Sequence, residues 1–224
     1  MALAVAANFA TTIEKLLRIY PNAQRSEISI ARGSTGQLYA QIKQGAPYDL
    51  FFAADVQTPR RLIDDGLGLS ASAFVYAVGV PVLYSPAGKF TVDALAKSTQ
   101  HIAIANPNTS PYGRAAVEVL RASGLWPAMR ARTALAANVG AAYTMVRSGA
   151  ATLGVVALSQ VLDAGEAPGA YRHLRGAQVT ALPQMVVQLA RAKHNDHAQA
   201  LLQFIASRAA REVIQQSGYG VGVP

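Results

Sequence analysis

The chain has no cysteine among its 224 residues. That excludes disulfides, thiolate nucleophiles and cysteine-ligated zinc, and it leaves the redox compartment open. No apolar run approaches the roughly 20 residues of a membrane-spanning helix. Aromatic residues make up only 7%. The 20 Lys and Arg outnumber the 12 Asp and Glu, for a formal charge of +8, yet no basic run of five residues occurs. The densest pairs are Arg60-Arg61 and Arg130/Arg132. A nucleic-acid groove wants clustered cations interleaved with aromatic platforms. The charge therefore reads as a solvated basic surface, and no nucleic-acid partner is expected.

Signals of catalysis are scarce too. There are four histidines, His101, His173, His194 and His197. His194 and His197 stand three apart, but no glutamate completes a zincin arrangement. They read as surface histidines, and no directly coordinated metal is expected. No Gly-x-Ser-x-Gly elbow exists. Asp64-Asp65 closes an amphipathic stretch, and Asp49 and Asp55 bracket an apolar one. Asp49 reads as a structural residue tying a strand to a loop. An enzyme is not expected.

What the sequence does have is a large apolar fraction, 51%, laid out in alternating periods. Residues 3–8, 27–31 and 48–54 read as strands. Residues 10–20, 35–44 and 56–66 have helical spacing, with Thr11 and Glu14 forming a candidate capping box. Strand–helix alternation means a parallel sheet with right-handed crossovers. Residues 74–86 hold two β-branched runs around Gly79-Val80-Pro81, as a strand leaving one domain for another would. The alternation then resumes: strand 101–107, helix 110–124, helix 138–149 and strand 151–158. A strand at 184–192 crosses back, and helices at 197–207 and 209–218 end the pattern. Ser110, Pro111 and Gly124 mark the bounds of their helix. The reading is an α/β protein of two similar lobes, residues 1–80 plus 187–224 and residues 81–186, joined by crossings near 80 and 186.

Four helix starts are built alike, at Asn8, at Ser34, at Ser110 ahead of Pro111-Tyr112-Gly113, and at Asn138 ahead of Val139-Gly140. In parallel α/β folds such starts gather at the carboxyl edge of the sheet, where ligands bind. A helix N-terminus offers unpaired N–H groups and about half a positive charge. Neighbouring glycines let the backbone approach closely. The turn ARGSTG (31–36) lacks the Gly-Lys-Ser/Thr ending of a nucleotide loop, so a small anion suits it better than a nucleotide.

These residues resemble the periplasmic molybdate-binding proteins of bacterial molybdate ABC transporters, the ModA type. The resemblance runs from VAANF to SGYGV. Its most specific stretch is GSTGQLYAQIKQGAPYDLFFAAD (33–55), similar to the family's serine-centred turn and GAPxDLFxSAD. SPYGRAAVEVL (110–120) resembles the family's PxGxYAxExL helix start, and TLGVVALSQ (152–160) its GIV strand. The resemblance implies a type II periplasmic binding protein: two α/β lobes, a two-strand hinge and a central ligand cleft. It implies oxyanion contacts at Ala7, Asn8 and Ser34 in one lobe and at Tyr112 and Val139 in the other. Ala7 stands where many members carry a hydroxyl. Ala157 stands where one branch carries a tyrosine, and Tyr112 is the expected replacement for that donor. Arg32 and Arg114 read as steering or surface charges. The implied function is capture of molybdate, and of tungstate, for an inner-membrane ABC permease. The protein would be a cofactor-free periplasmic monomer, and any export signal would have been removed ahead of Met1. The same plan leaves open a binder of sulfate, phosphate or an organic acid, or the effector domain of a regulator.

Overall fold

The computed structural model describes residues 1–21, 27–88, 101–174 and 182–220. The chain divides into two compact units, Met1–Gly79 with Leu182–Pro224, and Val80–Ala181.

The first unit opens with β1 (Ala2–Ala6), α1 (Ala10–Ile19), β2 (Ser29–Gly33), α2 (Thr35–Lys43), β3 (Leu50–Phe52), α3 (Gln57–Asp64) and β4 (Phe74–Gly79). The second contains β5 (Pro81–Tyr84), β6 (Ile102–Ala105), α4 (Pro111–Ala122), α5 (Trp126–Met129), β7 (Thr133–Ala136), α6 (Val139–Arg147), β8 (Leu153–Ala157), α7 (Leu158–Asp163) and β9 (Tyr171–His173). β10 (Leu182–Gln188), α8 (Asp196–Ile205) and α9 (Arg208–Gln216) return to the first unit.

The sheet of the first unit has the order β2-β1-β3-β10-β4, and that of the second β7-β6-β8-β5-β9. The two orders describe one path. A central strand (β1, β6) pairs in parallel with the next strand in sequence (β2, β7) on one side and a third (β3, β8) on the other. An antiparallel strand (β10, β5) follows that third strand in each sheet.

Strand periodicity explains why both faces of the first sheet are covered. Leu3, Val5, Leu50 and Phe52 face one way and pack with Ile13 and Leu16 of α1 and with Leu201, Leu202 and Ile214 of the last two helices. Ala4 and Phe51 face the other way, with Leu38, Ile42 and Leu62 of α2 and α3. In the second unit, Ile102, Ile104, Leu153 and Val155 pack with Ala116, Val117 and Leu120 of α4. α4 ends where expected, with Gly124 at φ 67°, a conformation that costs glycine little.

Four details differ from the sequence reading. The stretch 74–86 is two strands, β4 in one sheet and β5 in the other, broken at Val80. All of β10 pairs with β3 and β4, so residues 182–186 belong to the first unit. The Thr11–Glu14 capping box does not form: Phe9 is the N-cap of α1 without a side-chain bond, and Glu14 pairs with Arg32 instead. α5, β7, α7 and β9 are elements that the sequence reading lacks. β7 is the alanine-rich segment TALA on a sheet edge, where Leu135 is 58% exposed, so no buried apolar alternation announces it. Val221, last residue of the SGYGV stretch, lies outside the described residues.

Candidate functional site

In the first unit, the C-terminal ends of the paired strands β1 and β2 deliver Ala7-Asn8 and Ser34 to the same sheet edge. The Ala7 N–H donates to the Gly33 carbonyl at 2.9 Å, extending the β1–β2 ladder by one bond. The main-chain N–H of Ala7 is therefore already engaged. Asn8 is 2% exposed and is not the cap of α1. Its Nδ2 donates to Gln184 Oε1 at 2.9 Å and to the Tyr219 hydroxyl at 3.1 Å. An anion could recruit this amide only in exchange for one of those bonds.

Ser34 is the N-cap of α2 and is 3% exposed. Its Oγ accepts from the Gln37 N–H at 3.3 Å and donates to Gln37 Oε1 at 2.9 Å. Gln37 Oε1 also accepts the Ser34 N–H at 3.1 Å. This is a capping box, and Ser34-Thr35-Gly36-Gln37 carries its S-x-x-Q signature, the signal by which Gln37 can be found without the structure. Buried Thr35 accepts the Ala54 N–H on Oγ1 at 3.0 Å, tying the end of β3 to the start of α2. Thr35 and Gly36 occupy the first two positions of α2, where amides have no carbonyl four residues back within the helix.

The second unit repeats the arrangement at the ends of β6 and β7. Ser110 caps α4, its Oγ accepting from the Gly113 N–H at 3.4 Å, with Pro111 at the first helical position. Asn138 caps α6, its Oδ1 accepting from the Ala141 N–H at 2.9 Å. The Asn106 N–H donates to the Ala136 carbonyl at 2.8 Å, extending the β6–β7 ladder as Ala7 extends β1–β2. Tyr112 and Val139, in the first turns of α4 and α6, are 1% and 3% exposed. The Ala157 N–H accompanies them at the end of β8 and donates to Gln160 Oε1 at 3.3 Å.

The expected residues thus fall into two sets, Ala7, Asn8 and Ser34 on one sheet edge and Tyr112 and Val139 on the equivalent edge of the other sheet. No formal charge belongs to any of these side chains, so the electrostatics at each edge come from helix N-termini. Arg32 is half-exposed and pairs with Glu14, and Arg114 is exposed. Asp49 takes the structural part read from the sequence: it accepts the Ala2 N–H at 2.7 Å and Arg191 Nη1 at 2.9 Å. Among the described residues no group of three or more His, Asp or Glu side chains is placed to hold a metal ion.

A family model of bacterial extracellular solute-binding proteins matches residues 1–220. The chain is 38% identical over 223 residues to the molybdate-binding protein ModA of Azotobacter vinelandii, covering 97% of this chain and 88% of that one. It is 33% identical over 219 residues to ModA of Rhodobacter capsulatus, covering 96% and 86%. The solved structure of the Azotobacter vinelandii periplasmic molybdate-binding protein superimposes with a TM-score of 0.89 over 100% of both chains, at 33% identity. On these matches and on its fold, the chain belongs to the bacterial extracellular solute-binding proteins, in their ModA family.

Proposed function

We propose that this protein captures molybdate in the periplasm and delivers it, as a monomer, to an ABC importer, and that it takes tungstate as well. The observation that carries the reading is the duplicated donor edge: two helix starts at the ends of paired parallel strands in each unit, with no charged side chain among the expected contacts. The proposed anion contacts are Ala7, Asn8 and Ser34 on the sheet edge of the first unit and Tyr112 and Val139 on that of the second; the Ala7 N–H is engaged with Gly33, which leaves Asn8 and Ser34 as the donors of the first edge. The likeness to ModA proteins over nearly the whole chain supports the choice of anion.

Molybdate is a dianion with four acceptor oxygens and no proton at neutral pH. Donors alone therefore complement it, whereas a protonated anion would turn a hydrogen toward a donor and leave that donor unpaired. Hydrogen bonds to a charged acceptor are about twice as strong as neutral ones, so oriented N–H and O–H groups hold the dianion without a guanidinium clamp. Ser34 needs only to turn its hydroxyl from Gln37 Oε1 toward the anion, while the Gln37 N–H continues to hold its oxygen. Sulfate is smaller and spans such donors poorly. Tungstate nearly matches molybdate in size.

A thermal-shift panel of oxyanions tests the reading. Molybdate and tungstate are expected to raise Tm at concentrations where sulfate and phosphate do not. Stabilisation by sulfate or phosphate above molybdate would reassign the ligand.

A further inference from the structure

A buried polar network stands behind the Asn8 turn. Gln184 is 0% exposed, and its Oε1 accepts from Asn8 Nδ2 at 2.9 Å and from the Tyr76 hydroxyl at 3.0 Å. The Tyr76 hydroxyl also lies 3.1 Å from the Ala53 carbonyl. The Tyr219 hydroxyl donates to the Asn8 carbonyl at 2.6 Å and accepts from Asn8 Nδ2 at 3.1 Å. Asn8 is thus gripped on both its main chain and its side chain.

The register of β4 and β10 explains how Tyr76 reaches this point. Gln184 is opposite Ala77 and Met185 is opposite Val75, which leaves Tyr76 as the extra residue of a β-bulge. A bulge re-aims the side chain it carries. The rings of Tyr76 and Tyr219 pack on Phe9, with centroids 4.5 and 5.6 Å away. On the far side of Ala53, the Ala54 N–H reaches Thr35 Oγ1 at the start of α2. One connected set of bonds therefore supports both donor segments of the first unit, the Asn8 turn and the Ser34–Thr35 helix start.

We propose that Gln184, Tyr76 and Tyr219 are positioning residues for the anion site, fixing the spacing of its first-unit donors and hence the size of anion they accept. The inference rests on the molybdate reading above. Buried hydrogen bonds that share donors and acceptors rigidify one another, and donors that need not reorganise bind more tightly than donors that must.

The test is titration calorimetry with molybdate and with sulfate, alongside melts without anion. The proteins compared are the wild type, Tyr219→Phe, which keeps the ring on Phe9, and Gln184→Met, which removes the shared acceptor. Each variant is expected to bind molybdate about tenfold more weakly, the loss of roughly one buried hydrogen bond, and to prefer molybdate over sulfate less. Ile102→Val, a change in the separate core of the second unit, lowers Tm while leaving both affinities alone. If Tyr219→Phe does not fold, Tyr76→Phe is read in the same way. Wild-type affinity and selectivity in the folded variants would overturn this inference alone. A wild type that does not bind molybdate would overturn the functional reading on which it rests.

Discussion

A Cβ added at Gly113 would stand 2.2 Å from the carbonyl oxygen of Ala105. The first turn of α4 therefore lies directly on the end of β6, with only a hydrogen between them. This close approach sets where Tyr112 sits relative to its strand. Gly113→Ala is expected to push α4 off the sheet edge, cost about 1–3 kcal/mol of stability and weaken molybdate binding as well. Paired melts and calorimetry check this, and a variant with wild-type values for both would show that the helix start is not so constrained.

Ser34 carries two duties, cap and proposed ligand, and a single substitution separates their sizes. Ser34→Ala removes the capping oxygen, at about 0.5–2 kcal/mol of stability. It also leaves one anion lone pair without its donor, at about 1.5–3 kcal/mol of binding. Melts without anion report the first loss and calorimetry with molybdate the second. A stability loss with unchanged affinity would leave Ser34 a cap only.

Asp49 makes the opposite prediction. It joins the start of β1 to Arg191 through bonds of 2.7 and 2.9 Å, at the end of β1 remote from Ala7 and Asn8. Asp49→Ala is expected to destabilise the fold by about 1–3 kcal/mol and to leave the molybdate affinity of the folded protein within about twofold. A large affinity loss would mean that this end of the sheet also shapes the site.

Much of this was legible in the sequence, because the first unit follows local rules. Continuous apolar runs in LAVAA and LFF, helical spacing in Ile13, Leu16 and Leu17, and the cap signals at Ser34, Ser110 and Asn138 act over a few residues. The features that escaped depend on partners far along the chain. Nothing near Asn8 indicates that its amide meets Gln184 and Tyr219, 176 and 211 residues away, so it read as one more helix cap. The bulge that aims Tyr76 arises from a register shift between two strands and has no local signature. β7 escaped because the edge strand TALA leaves its one large apolar residue, Leu135, exposed and so lacks buried alternation.

Tyr84 in the second unit gives a prediction in pH. Burial pushes its hydroxyl above the ordinary tyrosine value of 10.0, with Glu166 and Tyr143 adding to the shift. Burial likewise raises Tyr143, whose hydroxyl donates to Glu166 at 3.1 Å. The Tyr84 hydroxyl itself lies close to these groups without reaching hydrogen-bond geometry. A raised folded-state value means that the neutral phenol favours the fold. That contribution is complete below the unfolded value and is lost as pH climbs from 10.0 toward the folded value. Tyr84→Phe is expected to change stability at pH 7 by less than about 1 kcal/mol and to flatten the alkaline decline. Denaturant melts at several pH values compare the two proteins, and an unchanged alkaline slope would acquit Tyr84.

The central claim, that uncharged donors at helix starts hold a tetrahedral dianion, is tested most directly by calorimetry of the full chain at neutral pH with molybdate, tungstate and sulfate. The account predicts one saturable site that takes molybdate and tungstate with similar affinity and sulfate far more weakly. No heat with molybdate, or tighter binding of sulfate, would contradict it.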